Sequence, residues 1–200
     1  IGKYKAKTAA AYIRAINTDV HAQAHCTALD PDNAVDWVKT ADIVIDAADS
    51  FAVSYTLSDI CLSTNTPLIS ASVLGQRGYI GGFCHTAPSL RAVFPELPKT
   101  NATCASAGVL GPVVGVLGAL QAQLAIQVML HHNPSPMGRI HSIDLANFVF
   151  SSFSFQDASE PDHKFSFISK RGLLDNDQVF DLRDTHEMPV NVTPTTIRVT

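Results

Sequence analysis

The chain has 200 residues, 46% hydrophobic and 16% charged, against a usual charged share of about 25%. That apolar surplus excludes a disordered or fibrous chain, because burial can offset the entropy of ordering. A net charge of −4 argues against a dedicated nucleic-acid binder, which needs a basic excess.

Residues 4–16 place Ala6, Ala9, Ala10, Ile13 and Ile16 at helical spacing on one face. The basic, acid-poor opening IGKYKAKTAAAYIRAI invites comparison with a transit peptide, but it runs directly into well-patterned globular sequence. Val20 to Cys26 alternates and reads as a short strand. Residues 31–39 read as a helix with Pro31 in its first turn. ADIVIDAA is a short apolar run suited to a strand buried on both faces. A helix over 51–64 leads to a second buried strand, PLISASVLG. GYIGGFCH is a third strand whose glycines imply close approach of another backbone.

Residues 86–107 read as a long loop rich in Pro, Ser, Thr and Ala, followed by a helix over 109–130. That helix approaches the roughly 20 residues needed to span a bilayer. Gln121, Gln123, Gln127 and Pro112, with no basic flanks, favour a helix buried in protein over a membrane span. RIHSIDLANFVFSSFSF reads as two strands and QDASEPDHK as a linker. Alternating elements of this kind predict an α/β fold around a mostly parallel sheet with flanking helices. One domain is expected over 1–158, and a second, incomplete unit over 165–200, where QVFDLRD is a fresh strand. Beginning at Ile1 and stopping at Thr200, the chain reads as a fragment.

Three residues stand out for chemistry. Lys5 falls beside Ile16 at the edge of the apolar stripe, where it either meets a phosphate in a cleft or snorkels across apolar surface. Asp46 and Asp49 flank the carboxyl end of ADIVID, the edge at which open α/β sheets hold ligands. Carboxylates there can hold a divalent cation, or Asp49 or Ser50 can simply cap the next helix. Cys104 sits in the long loop near a helix N-terminus, placed for thiolate chemistry or for inert packing. Cys26, Cys61 and Cys84 lie in expected strands or helices and read as core residues. No C-x-x-C pair is present, which argues against a disulfide framework or thiolate zinc site and favours the cytoplasm. Neither G-x-x-x-x-G-K-[ST] nor G-x-G-x-x-G occurs.

Three segments together resemble the ThiF/MoeB/HesA family, the bacterial relatives of ubiquitin-activating enzymes. GKYKAKTAAAYIRAINTDV is similar to that family's G-K-P-K…A…IN-P-x-V stretch. ADIVIDAADSF…PLISASVLGQRGYIGGF is similar to its D-x-V-x-D-x-x-D-N-F…P-L-I-x-x…G-x-x-G-x-x-x-x-F stretch. FPELP…CASAGVLGPVVGVLGALQAQLAIQVML is similar to its F-P-E…C…A-G-V-L-G-P…G-S-L-Q-A-x-E-A-I helix. Order and spacing agree over roughly residues 2–155. The resemblance implies a Rossmann-like fold that binds ATP and Mg2+. It implies adenylation of the C-terminal glycine of a ubiquitin-like sulfur carrier for thiamine thiazole or molybdopterin synthesis, in a homodimer. Lys5 matches the lysine for the ATP phosphates, Asp49 the aspartate associated with magnesium, and Cys104 a cysteine that takes part in sulfur transfer.

Departures are equally specific. The family's glycine loop, ribose-binding acid and phosphate arginines would precede Ile1. Ser50 replaces the usual Asn and Ser54 a common Arg, which keeps open a binding module that has lost catalysis. A nicotinamide-dependent oxidoreductase of similar architecture is the remaining alternative. Ser89 and Ala92 stand where many relatives carry a zinc-binding C-x-x-C, and EPDHKF lacks the second pair, so no zinc is expected. The tail DNDQVFDLRDTHEMP resembles the opening of a rhodanese domain through its D-x-R-x-x-x-E strand end.

Overall fold

The computed structural model describes residues 2–97, 108–162, 165–183, 186 and 189–199. Helix α1 spans Lys5–Ile16 and α2 spans Pro31–Lys39. A full capping box starts α2: the Asp30 carboxylate accepts from the Asp32 and Asn33 amides, and the Asn33 side chain accepts from the Asp30 amide. Strand β1 (Val44–Asp46) leads into α3 (Phe51–Thr64), which ends on Asn65 in the left-handed conformation that asparagine tolerates. Strands β2 (Leu68–Leu74) and β3 (Arg77–Phe83) follow, then α4 (Leu90–Val93), α5 (Gly111–Met129), β4 (Arg139–Asp144) and β5 (Val149–Ser154). Strands β6 (Phe180–Asp181) and β7 (Ile197–Arg198) form a separate parallel pair.

The main sheet runs in the order β1-β2-β3-β4-β5. Side chains alternate along its strands and divide the core in two. Leu68, Phe83 and Ile140 pack with Val38, Tyr55, Ile60 and Cys61 of α2 and α3. On the opposite face, Ile69, Ile80 and Ile143 pack with Val113, Leu117, Leu124 and Ala125 of α5. The result is an α/β fold with helices on both faces of the sheet.

Within the described residues the sheet is mixed, not mostly parallel. Only β1 and β2 run parallel, and the β2–β3, β3–β4 and β4–β5 pairs are antiparallel. For β2–β3 and β4–β5 the reason lies in the connections: two residues join the first pair and four the second, far fewer than the dozen or so a parallel crossover needs. Strands β3 and β4 pair antiparallel across a long connection that holds α4 and α5.

Other expectations change too. Val20–Cys26 forms no strand, and Cys26 is exposed. A strand needs a ladder partner, and none of the described residues pairs with this segment. The loop over 86–107 contains α4. Helix α5 is covered on one face only: Val113, Leu117, Gln121, Leu124 and Ala125 are buried, while Val114, Ile126 and Met129 are exposed. The stretch read as a linker is docked at Glu160, which is bonded to Ser89, and beyond it the Phe165 and Phe167 rings lie against Tyr55. The glycines of β3 do admit a backbone: a Cβ at Gly82 would lie 3.0 Å from the Pro136 carbonyl oxygen.

Candidate functional site

The carboxyl end of β1 is built around Asp46, which is 1% exposed. Its carboxylate accepts from the Ser70 hydroxyl at 2.8 Å and from the Ala48 amide at 3.0 Å, an Asx turn that shapes the loop into α3. Its carbonyl oxygen accepts from the Gln121 amide at 2.6 Å, and the same amide donates to the Ile69 carbonyl at 3.1 Å. Gln121 thus ties α5 to both β1 and β2. Both amide protons of this buried group are satisfied, which a polar side chain in a core requires.

Asp49, three residues on, is exposed and forms no hydrogen bond or ion pair with the described residues. Ser50 occupies the N-cap position of α3 but makes no side-chain cap bond, so neither its hydroxyl nor the Asp49 carboxylate caps the helix. The two aspartates therefore divide their work: Asp46 is structural and Asp49 is presented to solvent.

Lys5 is the first residue of α1 and is exposed. Ala10 is the single buried residue of that helix, and Ile13 and Ile16 are 39% and 68% exposed, so the apolar stripe beside Lys5 is largely uncovered. No contact among the described residues joins Lys5 to Asp49. Cys104 lies outside the described residues.

Burial pushes the Cys61 thiol up to about 12, with the Asp46 charge adding to the shift. Cys84 is pushed higher still, chiefly by burial, so neither thiol is a nucleophile at neutral pH. In the tail, hydrogen bonds from the Arg183 side chain hold the Asp181 carboxyl down at about 2. The D-x-R pair of the sequence is thus a bidentate ion pair, with Nε–Oδ1 at 2.8 Å and Nη2–Oδ2 at 3.1 Å.

A groove of about 540 Å3 lies between α5 and the β4–β5 hairpin, lined by Leu120, Gln123, Gln127, Arg139, His141 and Phe150 among others. Neither Lys5 nor Asp49 lines it. Sequence reading passed over this groove, because residues from the helix and the hairpin converge only in the fold. Gln121 was legible as a polar residue in an apolar helix, and its role as a strut between strands was not.

Comparison with known proteins places this geometry in a family. The ThiF family model matches residues 1–164. The chain is 35% identical over 147 residues to the adenylyltransferase and sulfurtransferase MOCS3 of Culex quinquefasciatus, covering 72% of this chain and 34% of that protein. It is 31% identical over 158 residues to the SAMP-activating enzyme E1 of Haloferax volcanii, covering 78% and 58%. An alignment with MOCS3-2 of Zea mays, at 32% identity over 211 residues, takes in 100% of this chain and 44% of that protein. The chain therefore spans less than two thirds of these relatives. Among solved structures, E. coli MccB with MccA-N7isoASN superposes with a TM-score of 0.66 at 19% identity, covering 81% of this chain and 51% of that one. MccB with ATP superposes at 0.64 and 16% identity, covering 78% and 49%. With its family model matched over most of its length and its fold shared with these structures, the chain belongs to the ThiF family.

Proposed function

We propose that the protein to which this chain belongs uses ATP to adenylate the C-terminal glycine of a ubiquitin-like sulfur carrier. One observation carries the reading: on a ThiF-family chain, Asp49 stands exposed beyond the carboxyl end of β1, with no hydrogen bond or ion pair among the described residues, on a loop fixed by buried Asp46. The names of the MOCS3 and SAMP-activating relatives support the reaction class.

In this reaction a carrier carboxylate oxygen attacks the α-phosphorus, the bond to the β-phosphate oxygen breaks, and pyrophosphate leaves. A sulfur nucleophile then attacks the acyl carbon of the adenylate, the bond to the AMP oxygen breaks and AMP leaves, so that the carrier bears sulfur for thiamine thiazole or molybdopterin synthesis. Lys5 places a cation against the triphosphate, and Asp49 is the carboxylate that would hold Mg2+. A single carboxylate suits this ion, which keeps several waters and takes phosphate oxygens as further ligands. Bound magnesium would supply charge neutralisation along the triphosphate. Cys104 is assigned to sulfur transfer, because adenylation by positioning and electrostatics requires no thiol. Residues 165–200 are read as the opening of a rhodanese-like domain, supported by the alignment with the maize relative across the whole chain.

The test is carrier-dependent exchange of pyrophosphate into ATP by the full-length protein. Asp49→Ala should cut exchange by roughly 100-fold, the usual cost of removing one group that stabilises transition-state charge. Cys104→Ser should leave exchange intact and lower sulfur delivery to the carrier. Exchange unchanged in Asp49→Ala would remove Asp49 from the site, and loss of exchange in Cys104→Ser would show a packing role.

A further inference from the structure

We infer that the junction between α4 and the segment following β5 is held by a metal-free clasp of Ser89, Glu160, Arg91 and Asp59, at the place where many relatives carry zinc. The positions matter. Ser89 and Ala92 occupy one expected cysteine pair, and the EPDHKF segment containing Glu160 occupies the other.

Both halves of Ser89 grip Glu160. The Ser89 amide donates to Oε1 at 2.6 Å and the Ser89 hydroxyl donates to Oε2 at 2.6 Å, so the carboxylate is held at both oxygens. The same hydroxyl oxygen accepts from the Arg91 amide at 3.1 Å and caps α4. Ser89 is fully buried, and its hydroxyl is committed as donor and as acceptor.

Arg91 forms the second arm. Its side chain is 1% exposed, yet its guanidinium makes a bidentate pair with Asp59 of α3, at 2.7 Å and 2.9 Å. The guanidinium plane lies 4.2 Å from the Phe165 ring centroid and 4.8 Å from that of Tyr55. The Tyr55 hydroxyl in turn donates to the Phe94 carbonyl at 2.7 Å. Segments distant in sequence are therefore joined: α3, α4, Glu160 and Phe165.

Zinc does not suit these donors. A structural zinc site takes four thiolate or imidazole ligands in a tetrahedron. Ser89 offers a hydroxyl already spent, Ala92 offers a methyl, and Glu160 has both oxygens engaged. Among the described residues no group of three or more His, Cys, Asp or Glu could hold a metal. Charge-assisted hydrogen bonds do the joining instead, and they are roughly twice as strong as neutral ones.

Elemental analysis and thermal unfolding of the full-length protein test the clasp. Expected are no stoichiometric zinc and a Tm unmoved by excess 1,10-phenanthroline. Glu160→Ala should lower Tm by about 6–12 °C, the cost of two charge-assisted bonds at the lower end of their strength in a chain of this size. Glu160→Gln keeps the shape and one acceptor, so it should fall in between and speed hydrogen exchange at the Ser89 amide. That local readout stands even if Glu160→Ala fails to fold. One tightly bound zinc per chain, a Tm lowered by the chelator, or unchanged Ser89 exchange in Glu160→Gln would each overturn the clasp. None of these outcomes depends on adenylation, so this inference and the proposed function fail separately.

Discussion

Cys61 and Cys84 sit at 0% exposure between α3 and the sheet, and their ionisation has a consequence for stability. The ordinary thiol value is 9.0, and burial raises Cys61 to about 12 and Cys84 beyond it. Burial also raises Tyr79 and Tyr55. A group whose folded value is raised binds its proton more tightly in the folded state. Above pH 9 the unfolded chain loses thiol protons first, so stability is full below pH 9 and falls as pH climbs toward 12. The urea midpoint should therefore drop between pH 8 and pH 10.5, and Cys61→Ala should flatten that drop. A midpoint independent of pH across this range would show that the thiols are not desolvated. At this scale the sequence told less about Asp46 and Asp49 than about Cys61 and Cys84, while Cys26, expected in the core, is exposed. Both aspartates end the same strand, and only packing reveals that Ser70 and Gln121 claim Asp46 and leave Asp49 exposed.

Between α5 and the sheet, the decisive position carries no side chain. A Cβ at Gly78 of β3 would lie 2.5 Å from Leu117 Cδ1 and 2.5 Å from the Ser72 carbonyl oxygen. Leu117 is 3% exposed and central to the α5 face of the core, so it cannot swing away without opening a void. Gly78→Ala should destabilise by about 1–3 kcal/mol, the usual cost of overpacking. Leu117→Ala opens a cavity of its own, but the double variant should lose less than the sum of the two, because the second change removes one of the two clashing atoms. A double-mutant cycle of denaturation midpoints measures the coupling; strict additivity would disprove the contact. The same interface explains what was legible in the elements. The helices over 31–39, with Pro31 in its first turn, and over 51–64 are legible in the sequence and appear with those bounds. Strand direction has no such local signal. The short turns at 75–76 and 145–148 leave no room for a crossover and so decide the β2–β3 and β4–β5 pairs, whereas the long connection from β3 to β4 leaves that direction to packing. Val20–Cys26 fails for the complementary reason, since alternation alone supplies no ladder partner.

Among the described residues, apolar side chains are left exposed on several elements, α5 and β5 among them. On α5, Leu110, Val114, Val116, Ile126, Met129 and Leu130 are 36–73% exposed. Between them Gly111, Gly115 and Gly118 face open space, with nothing within 4 Å of where a Cβ would be. A 19-residue helix with its outer face this apolar cannot remain in water at no cost, and monomers rarely expose such a contiguous patch. Glycines at this spacing let a second helix approach closely, which is the packing the sequence expectation of a homodimer calls for. The expected outcome is a dimer of the full-length protein in sedimentation equilibrium at micromolar concentration. Gly115→Leu, which fills the open face without touching the core side of α5, should weaken dimerisation by tenfold or more while leaving monomer secondary structure intact by circular dichroism. A monomer in the unmodified protein, or a dimer indifferent to Gly115→Leu, would assign the α5 face to another partner. The substitution separates assembly from folding because the buried face of α5, anchored by Leu117, Gln121 and Leu124, is unaffected.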